Sequence, residues 1–227
     1  MIVNQTLSYA AVITGDIVKS TRLSQASLDS VYAGIHDATE SVRAWAPGLI
    51  VSDVNRFRGD GWQVLLGSPR FSLRACLIIR AHLKARSRDF ETRAAVGIGA
   101  ISHLRLDDLA ASAGAAFRES GRLLEEMKAS TRLAIRLTDV PHAEQTLPSI
   151  VFALCDEISH RWTQKQGEVM QYSLLPEPLT QESIGRALSP PVKQQTVANH
   201  ILAGGGSAIE RAIESFENWV DSQESSR

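Results

Sequence analysis

The pattern of apolar residues in the first third of the chain predicts a strand followed by a long helix. Tyr9 to Thr14 form a continuous apolar run of the kind found in a central strand. The apolar residues after it recur at helical spacing over about 20 residues. They are Leu23, Leu28, Val31, Ile35 and Val42, and the pattern ends before Pro47 and Gly48. We therefore expect a buried strand and an amphipathic helix that packs on it.

The next segment predicts a β-hairpin. Leu49 to Phe57 and Trp62 to Leu66 are strand-like runs, and a short glycine-containing turn separates them. Such a turn between two strand-like runs is typical of a hairpin. The carboxylate of Asp60 would then lie at the hairpin tip.

The following elements complete a mixed α/β pattern. A helix is predicted to begin at Pro69, a strand covers 92–99, a helix covers Gly114 to Lys128, and an alternating strand covers Arg132 to Thr138. The order is β-α-β-β-α-β, followed by α-β. This order predicts an α+β fold, a ferredoxin-like sandwich with one extra αβ unit, over residues 1–142.

The last third of the chain is predicted to be helical. Residues from about 144 to 164 show one apolar stripe, so we expect a linking helix within 143–176. Two short helices around the Pro190-Pro191 turn follow, and then a helix from Ala208 to Val220. This arrangement predicts a helix-turn-helix module over 177–227. Its second helix carries the candidate DNA contacts Lys193, Gln194, Gln195, Thr196 and Asn199.

Composition narrows the class of protein without naming a function. The chain has 227 residues, 44% of them hydrophobic, and a net charge of −1, as expected for one globular domain with a small addition. No apolar run is long enough for a membrane span, and Met1 to Ser8 lack the pattern of a secretory signal. Its two cysteines lie in apolar helical segments, which argues against a disulfide framework. We expect a cytoplasmic protein that contacts no membrane.

Two Gly-Asp pairs, each at the edge of a strand-like run, are the strongest chemical signal. Gly15-Asp16 ends the first strand, and Gly59-Asp60 lies in the hairpin turn. Mg²⁺ in proteins is commonly held by one or two carboxylates, substrate phosphates and water. The pairs therefore predict a divalent-metal site, with two ordinary turns as the alternative.

The residues after Asp16 add a candidate anion site. Lys19, Ser20 and Thr21 precede the predicted first helix. Backbone N–H groups at a helix N-terminus attract phosphate groups, so we expect these three residues to contact phosphate.

These motifs occur in an order that resembles the class III nucleotidyl cyclase catalytic domain. They are Asp16-Ile17 with Ser20-Thr21, Gly59-Asp60-Gly61, the glycine-containing strand at 96–101, and the segment Gly114 to Arg122. The resemblance covers roughly residues 8–138. The opening Thr14 to Ser20, together with the C-terminal helix-turn-helix, is similar to the SatD family, whose N-terminal half is cyclase-like.

The resemblance implies a two-metal reaction on a nucleoside triphosphate. Asp16, Asp60 and the Ile17 carbonyl match the positions that bind two Mg²⁺ or Mn²⁺ ions, and Arg122 matches the arginine that stabilises the transition state. The products would be a cyclic nucleotide and pyrophosphate. The family builds its active site across a two-fold interface, so the resemblance also implies a homodimer.

The departures from the family pattern bear on the substrate. Arg118 stands where cyclases have an asparagine, and a guanidinium donates hydrogen bonds but accepts none. Arg56 stands at a base-reading position, and Ala111 lies near the position of the usual acceptor for the adenine amino group. These residues favour GTP or UTP over ATP.

The second hypothesis is that the cyclase-like half is a catalytically degenerate nucleotide sensor and that the helix-turn-helix acts on DNA. Residues 165–227 contain five lysines and arginines and eight acidic residues, a net charge of −3. Because DNA affinity depends largely on neutralising phosphates, this charge weighs against DNA binding. The polar residues of the second helix, which suit phosphate and base contacts, keep the hypothesis open.

Overall fold

A computed structural model describes residues 7–141, 143–177 and 179–225. The outer limits of the predicted domains at residues 1, 142 and 227 lie outside this part. The described residues form six strands: β1 Tyr9–Ile17, β2 Asn55–Phe57, β3 Gly61–Leu66, β4 Thr92–His103, β5 Ala113–Gly114 and β6 Leu133–Leu137. They also form eight α-helices: α1 Gln25–Trp45, α2 Ser72–Arg86, α3 Ala115–Glu126, α4 Thr146–Ser159, α5 Gln164–Ser173, α6 Gln181–Ala187, α7 Gln194–Ala203 and α8 Gly206–Ser225.

The strands form one mixed sheet in the order β2-β3-β1-β4, and both β5 and β6 pair with β4. The pairs β2–β3, β1–β3, β1–β4 and β4–β5 are antiparallel, whereas β4–β6 is parallel. The predicted α+β class is confirmed.

Helices cover both faces of the sheet. Successive strand residues point to opposite sides, so alternate residues of one strand pack against different helices. Ala11 and Ile13 of β1 belong to the main core with α1 and α2. Ala10 and Val12 belong to a second cluster that includes Phe117 of α3. Even-numbered residues of β1 therefore face α3, and this parity also places Asp16 on the α3 side.

The helices after residue 142 contribute to the same main core as the sheet. Phe152 of α4, Met170 of α5, and Ile213 and Phe216 of α8 are at most 1% exposed and belong to that core. Helices α6 and α7 pack on α5 through a smaller cluster around Val197. The predicted division into three parts, at 142/143 and 176/177, stays a prediction. In the structure, helices from both sides of the first boundary pack into one core.

Several element boundaries differ from the predicted ones. The predicted helix over about 144–164 is α4, which ends at Ser159. The linking segment 143–176 contains a second helix, α5, which begins where Thr163 and Gln166 form a reciprocal capping box. The predicted strand before the hairpin turn shrinks to the three residues of β2 and a single bridge at Ile50. Pro69 opens a short 3₁₀ turn, and α2 begins at Ser72.

Three helices follow residue 177 as predicted, and α8 extends beyond the predicted range at both ends. Within the described part of the chain, no helix combines the length and apolar character that a membrane crossing requires.

Candidate functional site

The two predicted metal-binding aspartates border one small cavity. Asp16 lies near the end of β1 and pairs in register with Gly61 of β3, the residue after Asp60. The Ile17 N–H donates to the Asp60 carbonyl at 3.1 Å, which joins the end of β1 to the hairpin turn. Both aspartates line a cavity of about 200 Å³ between this edge of the sheet and α3. The fold therefore brings together two residues that are far apart in sequence.

Asp16 is already paired with a cation, Arg93 at the start of β4. Arg93 Nε donates to Asp16 Oδ1 at 2.9 Å, and its Nη2 donates to Oδ2. Hydrogen bonding to Asp16 raises the pKa of Arg93 above its ordinary value, although burial acts in the opposite direction. Such a two-pronged pair fixes the orientation of the carboxylate.

The backbone of Asp16 is also held from within the core. Thr92 Oγ1 donates to the Asp16 carbonyl at 2.6 Å, and Trp62 Nε1 donates to Thr92 Oγ1 at 2.7 Å. Trp62 and Thr92 are buried. The Asp16 backbone is thus tied to two buried side chains on neighbouring strands.

Asp60 is held by a tight turn and by a hydroxyl. Arg58 and Gly59 precede it with φ of 49° and 86°, which bends the chain sharply between β2 and β3. Ser20 Oγ donates to Asp60 Oδ2 at 2.6 Å. The Tyr32 hydroxyl donates to the Gly59 carbonyl at 3.1 Å and closes the turn from the α1 side.

A larger cavity of about 700 Å³ adjoins the first one. The two share Thr14, Phe57, Arg58, Gly121 and Glu125 as lining residues, so they lie side by side. Arg58 lines both cavities, and Arg118 of α3 lines the larger one. The two cavities together combine acidic residues at the narrow end, which is the smaller cavity, with guanidinium groups that could contact an anion.

The residues at the narrow end fit a divalent ion whose other ligands come from a substrate. Among the described residues, no group of three or more His, Cys, Asp or Glu side chains is placed to hold a metal. Asp16 and Asp60 supply two carboxylates, and each ionised carboxylate has more acceptor sites than its present partner uses. This limited set is the kind that Mg²⁺ completes with phosphate oxygens and water.

The predicted phosphate-binding residues lie in a different local structure from the expected one. Ser20, Thr21 and Arg22 form one 3₁₀ turn, and Lys19 precedes it in a left-handed conformation with φ of 55°. Helix α1 begins at Gln25, and the Ser24 side chain caps its N-terminus by accepting from the Ser27 N–H. Ser20 uses its hydroxyl to hold Asp60.

The predicted base-reading and transition-state residues lie outside the cavity. The Arg56 guanidinium stacks over the Tyr32 ring at 3.5 Å from the centroid. The Arg122 side chain is 62% exposed and lies near Glu126, one helical turn away. Neither residue lines the 200 Å³ or the 700 Å³ cavity. Of the arginines singled out from the sequence, only Arg118 does.

Two residues at this site were not identified from the sequence. Arg93 lies 77 positions from Asp16, and only the pairing of β1 with β4 brings them together. Gln63 stands opposite Thr14 in the β1–β3 ladder and lines the larger cavity. Its place as a polar residue within an otherwise apolar strand was the available signal.

The candidate DNA contacts lie at the start of α7, with Lys193 as its N-cap residue. Lys193, Gln194, Gln195 and Asn199 are exposed, and Thr196 is half-buried. Gln195 Nε2 donates to Asn199 Oδ1 at 3.2 Å, so these two amides contact each other. A DNA partner stays a prediction.

Comparisons with known proteins give little further help. No protein-family model matches the chain, and no curated protein matches it. Membership of the SatD family therefore stays a prediction. Among solved structures, the chain is similar to the crystal structure of the guanylyl cyclase Cya2, with 14% sequence identity and a TM-score of 0.41. The match covers 56% of this chain and 74% of that one.

Proposed function

We propose that this protein binds a nucleoside triphosphate together with divalent ions, Mg²⁺ or Mn²⁺, and converts it to a cyclic nucleotide and pyrophosphate. The observation that carries the proposal is the shared cavity of Asp16 and Asp60, which adjoins a larger cavity bordered by Arg58 and Arg118. The antiparallel strand order β2-β3-β1-β4, with α1 and α2 in a β-α-β-β-α-β chain order, also supports the proposal of a cyclase-like core.

Each residue has a role that follows from its chemistry. Asp16 and Asp60 would hold the ions, with the Ile17 carbonyl as a further ligand, and Arg93 and Ser20 keep the two carboxylates in place. Arg58 and Arg118 would contact phosphate oxygens, because a guanidinium pairs well with phosphate. When bound, the ions supply charge stabilisation and activation of an attacking hydroxyl.

The test is to incubate the purified protein with Mn²⁺ and each of ATP, GTP, CTP and UTP, and to separate the products by chromatography. We expect one cyclic nucleotide to form and to disappear in Asp60→Ala. Asp53→Ala is a matched control, since Asp53 is an exposed aspartate that lines neither cavity. Nucleotide binding without a product from any of the four would contradict the cyclase assignment and favour the sensor alternative.

The proposal includes a homodimer because Arg122 is exposed on α3 and lines neither cavity of its own chain. An Arg122 that acts in catalysis would act at the cavity of a second copy. Mixing Asp60→Ala with Arg122→Ala protein should then restore part of the activity, because mixed dimers contain one intact site. Two inactive variants that stay inactive after subunit exchange would argue against a shared site.

A further inference from the structure

A chain of buried hydrogen bonds connects α3 to the wall of the larger cavity. The Ser120 hydroxyl donates to the Phe117 carbonyl at 3.0 Å, and Thr14 Oγ1 lies 2.7 Å from Ser120 Oγ. Gln63 Nε2 donates to Thr14 Oγ1 at 2.8 Å. The exposed fractions of Ser120, Thr14 and Gln63 are only 0%, 3% and 8%.

The hydrogen bonds that the structure shows give this chain one consistent direction. A hydroxyl has one hydrogen to donate, and Ser120 gives its hydrogen to the Phe117 carbonyl, which can only accept. With this bond formed, Ser120 accepts from Thr14, and Thr14, having donated its own hydrogen, accepts from Gln63. The Gln63 amide accordingly turns its nitrogen toward Thr14, in agreement with the rest of the hydrogen-bond network.

This orientation leaves the Gln63 oxygen for the cavity. Gln63 lines the larger cavity, and no residue in the described part of the chain donates to its Oε1. Gln63 Oε1 is not among the fully buried polar atoms that lack a partner, so it can be reached from the cavity. A ligand that covers this oxygen without donating to it would cost free energy. The cavity wall thus carries an acceptor that favours a ligand donor.

The position of this acceptor relative to the aspartates limits what the donor can be. Gln63 pairs with Thr14, two residues before Asp16 on the same face of β1, so it lies about 7 Å along the strand from Asp16. Phosphate oxygens are acceptors and cannot satisfy another acceptor. If phosphates lie at the Asp16 end, the sugar comes next, and its hydroxyls are donors.

We infer that Gln63 Oε1 accepts a hydrogen bond from a ribose hydroxyl of the bound nucleotide and so selects ribonucleotides at this site. The inference rests on the proposed function and adds to it a residue that discriminates between sugars. Arg118 lines the same space but cannot accept a hydrogen bond, so Gln63 supplies an acceptor that Arg118 cannot.

The experiment compares a nucleotide with its 2′-deoxy and 3′-deoxy forms by calorimetry, using whichever of ATP, GTP, CTP and UTP binds best. Ca²⁺ replaces Mg²⁺ as a divalent ion with oxygen ligands. We expect at least one deoxy form to bind about tenfold more weakly to the wild type, because it leaves the buried amide oxygen unpaired. In Gln63→Met, which removes the acceptor at similar length, the three forms should bind equally.

Two further variants keep the test decisive. Gln164→Met changes an exposed glutamine of α5 that lines neither cavity, and it should keep the full discrimination. Thr14→Val removes the acceptor that orients the Gln63 amide, so this variant should discriminate less between the nucleotide and its deoxy forms. It provides the test if Gln63→Met does not fold.

The remaining outcomes separate the inference from the proposed function. Equal binding of all three forms to the wild type, or discrimination that persists in a folded Gln63→Met, overturns the inference and leaves the proposed function standing. A wild type that binds none of the nucleotides overturns both.

Discussion

Asp16 would share its carboxylate between a metal ion and Arg93. The guanidinium of Arg93 donates to both oxygens of the Asp16 carboxylate, and its positive charge offsets the negative charge that would attract a divalent ion. Binding of an ion at Asp16 must therefore compete with this pair or loosen it. The competition is a property of single side chains and can be measured one residue at a time.

We predict that Arg93→Met increases the affinity for Mn²⁺ in the absence of nucleotide. The substitution releases the Asp16 carboxylate while keeping an apolar chain of similar length, and a gain of several-fold corresponds to about 1 kcal/mol. Titration with Mn²⁺ followed by electron paramagnetic resonance measures the affinity. The double variant Asp16→Asn/Arg93→Met should lose the gain, and an unchanged affinity in Arg93→Met would show that Asp16 is not a ligand.

Some residues of the candidate site could be identified from the sequence, and others could not. The Gly-Asp pairs identified Asp16 and Asp60 because the local chain itself places a carboxylate at a turn. Arg93 and Gln63 could not be identified in this way, because the roles argued for them depend on which residues β1 pairs with. Arg56 was expected to contact a base, but the nearby Tyr32 ring offers its guanidinium a cation–π partner.

Among the elements, α3 depends on an unusually close approach to β4. A side chain at Gly97 would place its Cβ 2.2 Å from the Ala116 carbonyl oxygen and 2.6 Å from the Ser120 nitrogen. Only glycine allows the helix to lie this near the strand. The same contact positions Ser120, and therefore the hydrogen bonds that orient Gln63.

We predict that Gly97→Ala destabilises the protein by at least about 1–3 kcal/mol, because the methyl group would push α3 away from the sheet. Gly121 lies in the same helix, and a Cβ added there would meet no neighbouring atom within 4 Å. Gly121→Ala should therefore stabilise the protein by about 0.5–1 kcal/mol through the helix preference of alanine. Urea unfolding of both variants measures these changes, and equal effects would contradict the close packing at Gly97.

Element types were predictable where one pattern dominated, as in β1 and α1. Boundaries were not, because they depend on local hydrogen bonds such as the Thr163–Gln166 capping box that divides α4 from α5. The residues after Asp16 show the same limit. Ser24 caps α1, and the expected anion-binding helix start therefore lies several residues later than predicted.

Across the whole molecule, a buried ion cluster connects α2 to α8. Arg74 Nε donates to Glu217 Oε1 at 2.7 Å, and its Nη1 donates to the Leu174 carbonyl at 2.9 Å. Hydrogen bonds and charge from Glu217 and Glu210 raise the pKa of Arg74, although burial alone would lower it. The helical pattern of 144–220 predicted the helices but not this connection, which joins residues 143 positions apart.

We predict that Glu217→Ala costs about 3–5 kcal/mol in the free energy of unfolding, because it leaves the buried Arg74 charge without its main partner. The double variant Arg74→Met/Glu217→Leu should recover much of this loss, since it removes both charges and keeps apolar volume. Glu214→Ala, at an exposed position of α8, serves as the control and should stay within about 0.5 kcal/mol of the wild type. A double variant as unstable as Glu217→Ala would contradict an ionic origin for the effect.

The position of α8 in the main core also affects how the protein is made. Ile209, Ile213 and Phe216 are among the core residues that are at most 1% exposed, and they are translated after the strands and the other helices of that core. Domains usually fold in order as they leave the ribosome, but this core is complete only when α8 has emerged. We therefore expect apolar surface of α2 and α4 to stay accessible to chaperones until α8 has been translated.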